Sequence, residues 1–227
     1  MAKLVVTIDG PAASGKSTVA RSLAERLNAS FLDTGAMYRA VTLAAMRRGV
    51  DLASEEQILH VIENTRFNFA EQAGSLKAYV DGLEVTGQIR SPEVTRNARY
   101  VASAPKVRQK LVEMQRRFAE ATEKVVTEGR DQGTVVFPEA DVKFYLTAEP
   151  LVRAKRRQAE LEAAGTKRQL EQVYRAIQDR DVSDEGRAVG PLRPADDAIT
   201  VDTTELSIEE VVDKLLAYIE ERCSKRS

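Results

Sequence analysis

The amino-acid sequence predicts an α/β fold in which a mainly parallel central sheet is flanked by helices. Three observations carry that expectation. Short β-branched apolar runs alternate with amphipathic segments along most of the 227 residues. A glycine-containing loop joins the first apolar run directly to the first amphipathic segment. Lysine and arginine (34) almost balance aspartate and glutamate (35), and 43% of residues are hydrophobic, the composition of a packed chain with no global basic field to attract nucleic acid.

Each element has its own signal. Lys3 to Ile8 is a continuous apolar run, as expected of a strand buried on both faces. From Lys16 to Leu27 the apolar positions Val19, Ala20, Leu23, Ala24 and Leu27 recur at helical spacing. Ser30 to Asp33 reads as a second strand, and Ala36 to Arg48 as a helix ended by Gly49. Ser54 caps the next helix, with Glu55 and Glu56 in its first turn, where the helix dipole favours negative charge. The rhythm then breaks. Arg66 to Ala70, Leu76 to Val80 and Leu83 to Thr86 read as short strands with turns at Ala73-Gly74 and Asp81-Gly82, a small antiparallel insert over about residues 66–90. Helices follow at Pro92 to Ala102 and Pro105 to Glu123. Core strands at Val125 to Thr127 and Val142 to Leu146 come next, then charged helices at Pro150 to Ala163 and Lys167 to Asp181. A last strand at Ala198 to Val201 precedes a helix from Ser207 to Glu221. One domain over 1–227 accommodates all of it.

Composition narrows the chemistry. There is one histidine, His60, set between Leu59 and Val61 as a packing or surface residue. Histidine-based triads and multi-histidine metal sites therefore lack raw material. The one cysteine, Cys223, cannot form an internal disulfide and is expected to be inert, which suits a reducing compartment. The apolar run at the N-terminus is interrupted by Asp9 and is too short for a signal core or a membrane span, so a cytoplasmic location is expected.

The segment Gly10-Pro-Ala-Ala-Ser-Gly15-Lys16-Ser17-Thr18 fits G-x-x-x-x-G-K-[ST] in the context that pattern requires, after a strand and opening a helix. Its glycines let successive N–H groups face phosphate oxygens at a helix N-terminus. Lys16 is expected to reach the β- and γ-phosphates of ATP, and the Ser17 hydroxyl to sit on Mg²⁺. None of the four asparagines is followed by lysine, so the guanine-reading Asn-Lys-x-Asp motif of GTPases is missing. The Leu206-Ser207 pair continues with Ile208, which excludes a transporter-type signature. Small-molecule kinases need instead arginines for a second anionic substrate, and Arg39, Arg108, Arg130, Arg153, Arg156, Arg157, Arg180 and Arg187 lie around predicted loops and helix ends.

Four further strings, in order with the loop, resemble those of bacterial cytidylate kinases, which phosphorylate CMP and dCMP with ATP. They are Leu32-Asp-Thr-Gly-Ala-Met-Tyr-Arg39, Pro105-Lys-Val-Arg108, Glu128-Gly-Arg-Asp-Gln-Gly-Thr-Val-Val-Phe-Pro138, and Arg180-Asp-x-x-Asp184-x-x-Arg187 followed by Pro191-Leu192. The resemblance runs from the first strand to Asp202-Thr-Thr204. It implies a P-loop kinase fold with a substrate-side insert and a helical lid at about 149–165. It implies ATP contacts at Gly10, Pro11, Ala12, Ala13, Ser14, Gly15, Lys16, Ser17 and Thr18, with Arg153 and Arg156 from the lid. For CMP it implies Thr34, Arg108 and Asp131 on the base, Arg39, Arg130 and Arg187 on the phosphate, and Arg180 with Asp184 on the sugar. Lys16, Arg130, Arg187 and Arg157 are the expected catalytic residues, Mg²⁺ the expected cofactor. The expected partners are ATP and CMP or dCMP, for a monomer that engages neither nucleic acid nor membrane. Cytosine presents an amine donor and two acceptors, and Asp131, Arg108 and Thr34 supply the complementary set. Arg99 departs from the pattern, standing where many members carry a serine that touches the sugar. Other acceptors on the same fold, such as UMP, AMP or shikimate, and a nucleotide-binding regulator without turnover remain the alternatives.

Overall fold

The structure, a computed structural model, describes residues 4–72, 75–163 and 165–224. The Ala73-Gly74 turn and the Cys223 side chain lie outside that description. The main sheet holds β1 (Leu4–Asp9), β2 (Ser30–Asp33), β6 (Lys124–Gly129), β7 (Val142–Thr147) and β8 (Ile199–Asp202) in the order β2-β6-β1-β7-β8. All four pairings are parallel. Each strand is a short β-branched run because both of its faces are covered: Val125 packs in one apolar cluster and its neighbour Val126 in the other. The cluster with Val126 joins Val6, Ile8 and Phe144 to α1 (Lys16–Leu27) and α8 (Ile208–Ser224). The cluster with Val125 joins α2 (Thr34–Arg47), α3 (Glu55–Glu63), α4 (Pro92–Ser103) and α5 (Pro105–Glu120) through Met37, Val41, Ile58, Val101 and Leu111.

The expected insert is present as an antiparallel meander of β3 (Phe67–Gln72), β4 (Ser75–Val80) and β5 (Leu83–Glu84). Leu76, Ala78 and Val80 face the same cluster as α2, so the insert is an extension of that core. A charged pair of helices, α6 (Pro150–Ala163) and α7 (Leu170–Glu185), leaves β7 and encloses a small apolar cluster of its own around Ala154, Val173 and Ile177.

Three boundaries differ from the sequence reading for physical reasons. Helix α2 begins at Thr34 because the Asp33 carboxylate accepts from the Ala36 N–H at 2.8 Å, capping the helix two residues earlier. Helix α8 is entered through a reciprocal box, Ser207 Oγ accepting from Glu210 N–H and Glu210 accepting from Ser207 N–H. Helix α7 runs on past Asp181 to Glu185 because Asp184 is buried against arginines, and tertiary contacts of that kind override weak helix propensity.

β1 lies between β6 and β7: the connection leaving β1 runs to β2 on the β6 side, whereas the connection from β6 crosses β1 to reach β7, and this reversal opens a crevice beyond the carboxyl end of β1. Gly10 stands there at φ 149°, and a Cβ on it would run into the Leu146 carbonyl of β7. Gly10→Ala is therefore expected to lower the melting midpoint by about 3–10 °C, measured by circular dichroism; an unchanged midpoint would show that β7 can yield.

Candidate active site

Three carboxylates end three adjacent strands: Asp33 on β2 lies level with Glu128 on β6, and Gly129, next along, lies level with Asp9 on β1. Each is turned to a separate task. Asp33 caps α2 and pairs with Arg39 at 3.2 Å and Arg90 at 3.5 Å. Glu128 accepts the Ser17 hydroxyl at 2.8 Å. Asp9 accepts the N–H groups of Gln132 and Gly133 at 2.9 and 2.8 Å, and burial pushes its carboxyl up to about 7.

The loop from Gly10 to Gly15 curls through positive φ at Gly10, Ala13 and Gly15, and Gly15 precedes the first residue of α1, Lys16. The Lys16 ammonium donates to the Pro11 carbonyl at 2.5 Å and to Ser14 Oγ at 3.2 Å. Burial first, and then the neighbouring Arg130 guanidinium, pull its pKa down to about 7. From outside, Arg153 donates to the Ala12 carbonyl at 3.1 Å and to Asp181 at 2.5 Å, while Asp181 accepts the Ala12 N–H at 3.3 Å. Thr203, after β8, donates to the Ser14 carbonyl at 3.2 Å, and Arg156 donates to Thr203 Oγ1 and its carbonyl at 3.0 and 2.6 Å. Arg153 and Arg156, expected from the resemblance to touch ATP, are thus engaged with the loop's own supports.

Opposite the loop, Asp184 of α7 gathers arginines. Arg130 Nε lies 2.7 Å from it, Arg187 is hydrogen-bonded to its other oxygen, and Arg180 lies at 3.9 Å. Burial alone would raise this carboxyl, but the three guanidinium groups outweigh it and hold it below the usual carboxylate range. A single turn of π-helix, Gln132–Val136, follows Asp131, with Val136 and Phe137 N–H groups bonded five residues back. The buried Gln132 side chain fixes this turn by accepting from Thr127 and donating to Gln115. Asp131 is thereby set against Arg108, the two side chains being 6% and 3% exposed. Burial raises the Asp131 carboxyl, and Arg108 opposes that shift. The Arg108 guanidinium also sits 5.5 Å from the centre of the Tyr38 ring. Thr34 is buried beside Glu128 and donates its hydroxyl proton to the Glu128 carbonyl at 2.7 Å, so towards any ligand it offers an acceptor lone pair.

Lys16, Ser17, Thr34, Arg39, Arg108, Arg130, Asp131, Arg180, Asp184 and Arg187 therefore converge around the carboxyl ends of β1, β2 and β6. Arg157 does not join them. Four residues beyond Arg153 the helix has turned by about 40° and risen about 6 Å. The Arg157 side chain is there 43% exposed and pairs with Glu160 at 2.8 Å. Arg99 lies on the exposed side of α4 over the Tyr100 ring, while Ser103, one turn on, lines a cavity of about 400 Å³ beside Arg187. Asp9, Asp33, Glu128, Tyr38, Gln132 and Asp181 escaped assignment from sequence; the acids at strand ends were the available signal.

Among the described residues no cluster of three or more His, Cys, Asp or Glu side chains could hold a metal alone. Ser17 with Glu128 offers two hard oxygens, the small protein share that Mg²⁺ takes when phosphates complete its shell. With Lys16 at about 7, a phosphate bound beside it is expected to restore its proton. Because a lowered lysine pKa leaves the neutral form dominant above it, uptake on MgADP binding is expected to approach one proton at about pH 8.5 and to vanish near about pH 5.5. Calorimetry in buffers of different ionisation enthalpy reads this directly, and Lys16→Met should abolish it; pH-independent uptake would contradict the buried-lysine assignment.

A family model described as cytidylate kinase matches residues 6–221. A cytidylate kinase of Rhodococcus jostii (strain RHA1) is 47% identical over 220 residues, 97% of this chain and 96% of that protein. A second, from Desulfitobacterium hafniense (strain Y51), is 46% identical over 219 residues, 96% of this chain and 94% of the relative. A third, from Anoxybacillus flavithermus, is 46% identical over 220 residues and covers 97% of both. The match takes in the phosphate loop, the arginines around Asp184 and the Arg108–Asp131 pair alike, and by this near full-length agreement the chain belongs to the cytidylate kinase family.

Proposed function

We infer that the protein transfers the γ-phosphoryl group of Mg-ATP to CMP or dCMP, giving ADP and CDP or dCDP. The observation that carries this reading is the buried Arg108–Asp131 pair, a donor and an acceptor held side by side near the phosphate loop. An ionised Asp131 accepts from the exocyclic amine of cytosine, and Arg108 donates to its ring nitrogen and carbonyl. Uracil would turn a carbonyl towards Asp131, and a buried mispairing of that type costs about 1–3 kcal/mol.

Arg39, Arg130 and Arg187 would take the acceptor phosphate. Asp184 would accept from the sugar with Arg180 beside it, and it also orients Arg130 and Arg187 through the bonds already described. The loop N–H groups and Lys16 would hold the β- and γ-phosphates, and Ser17 with Glu128 would hold Mg²⁺, directly or through its water. The metal neutralises charge and orients the phosphates when bound. No protein nucleophile is required, because in-line transfer depends on positioning and on charge spread over the moving group. Lys16, Arg130 and Arg187 are placed to offset that charge.

The test is ADP release at saturating Mg-ATP with CMP, dCMP, UMP, AMP and shikimate. Turnover should depend on CMP or dCMP, with kcat/KM at least about tenfold above that for UMP; no acceptor dependence would sink the reading. Asp131→Asn should narrow the CMP-to-UMP ratio, since an amide can donate to the uracil carbonyl. Asp184→Ala should cut kcat/KM for both CMP and dCMP about tenfold or more, roughly 1.4 kcal/mol, because it removes the sugar acceptor and releases two arginines. Wild-type values for both acceptors in that variant would place the sugar site elsewhere.

A further inference from the structure

The string Arg180-Asp181-x-x-Asp184 contains one acid that the acceptor site leaves unused. Asp181 lies three residues before Asp184 on α7, near the same face, and its side chain is only 13% exposed. Its two oxygens are divided. Oδ1 accepts the Ala12 N–H at 3.3 Å and Oδ2 accepts from Arg153 at 2.5 Å. Arg153, 7% exposed, also donates to the Ala12 carbonyl at 3.1 Å and to the Ala148 carbonyl at 3.0 Å. Both backbone groups of Ala12 are therefore held from behind, one by each member of a buried ion pair contributed by α6 and α7.

Peptide planarity turns that grip into an aiming device. In a trans peptide the C=O and N–H point in opposite directions. With the Ala12 carbonyl drawn to Arg153, the N–H of Ala13 must point away from Arg153. With the Ala12 N–H drawn to Asp181, the Pro11 carbonyl must point away from Asp181, and it does so, meeting the Lys16 ammonium at 2.5 Å on the loop's inner side. Ala13 itself takes positive φ, 59°, which a non-glycine residue adopts only when its surroundings impose it. Two peptides further on, the Ser14 carbonyl meets Thr203 Oγ1 at 3.2 Å, sharing its proton with the Thr147 carbonyl at 3.0 Å, and the Gly15 N–H faces the other way. We propose that Arg153 and Asp181 are positioning residues that aim the N–H groups of the 10–15 loop at a bound phosphate, acting through Ala12 without touching the nucleotide. The proposal deepens the reading of this loop as the phosphoryl-donor site.

Its test is binding of MgADP, without acceptor, to Asp181→Ala, Arg153→Lys and the double variant by calorimetry, with CMP titrated separately into each. Lysine keeps the charge at 153 but cannot bridge the Ala12 carbonyl, the Ala148 carbonyl and Asp181 together. Each single substitution should weaken MgADP binding about tenfold, and the double variant should fall no more than about twofold below the weaker single, as for residues acting as one unit. CMP affinity should stay within about threefold. If Asp181→Ala does not fold, Asp181→Asn, of equal size, carries the same comparison. Unchanged MgADP affinity overturns the proposal. So does equal loss for MgADP and CMP, which marks a general structural role, and so do additive effects. MgADP binding needs no acceptor, so a wild-type protein that fails to phosphorylate CMP would overturn the proposed reaction and leave this comparison readable.

Discussion

β1 is hydrogen-bonded along both edges and covered on both faces, and both the phosphate loop and the π turn that carries Gln132 and Gly133 are referred to where that strand stops. A strand so enclosed cannot shift its register without moving β6 and β7 together. Its last residue, Asp9, fixes the two N–H groups that start the π turn, and the next residue, Gly10, starts the phosphate loop. Donor and acceptor sides are thus referred to the same point. A change of one residue in the length of β1 would displace both.

Much of the polar interior is organised as ion pairs, Arg153 with Asp181, Arg108 with Asp131 and Arg130 with Asp184, and each of these arginines also donates to a backbone carbonyl. Burying such pairs contributes little to stability compared with apolar packing, whereas removing one partner is costly. Their concentration in one crevice, while the sheet faces elsewhere are almost wholly apolar, marks a site built for orientation at some expense of stability.

Much of this was legible in the chain itself. Strand runs such as Val125 to Thr127 and the spacing of Val19, Leu23 and Leu27 announced their elements because burial on two faces and on one helical stripe leave different periods. The phosphate loop was legible because its pattern encodes a backbone shape. What could not be read was the partner of each arginine. Arg153 and Arg157 stand four apart on one helix and look alike in sequence, yet one lies under Ala12 and the other pairs with Glu160 in solvent. Pairing across 28 residues with Asp181, or 54 between Arg130 and Asp184, is decided by how helices pack, and no local period records it. The length of α7 was hidden for the same reason.

The hydrogen bond from Thr203 to Ser14 joins residues 189 positions apart. Synthesis and assembly are therefore far apart for the phosphate loop: it is made 189 residues before Thr203, which supplies one of its supports. Until β8 has been made and has paired with β7, the loop lacks one of the restraints that orient it, however completely α1 and the strands around it have formed. Contacts of such long range add loop-closure entropy that must be overcome before they contribute anything. A nascent chain of this protein thus gains the last support of its cradle only as β8 forms, shortly before α8 adds Val211, Val212, Leu215 and Ile219 to the apolar core.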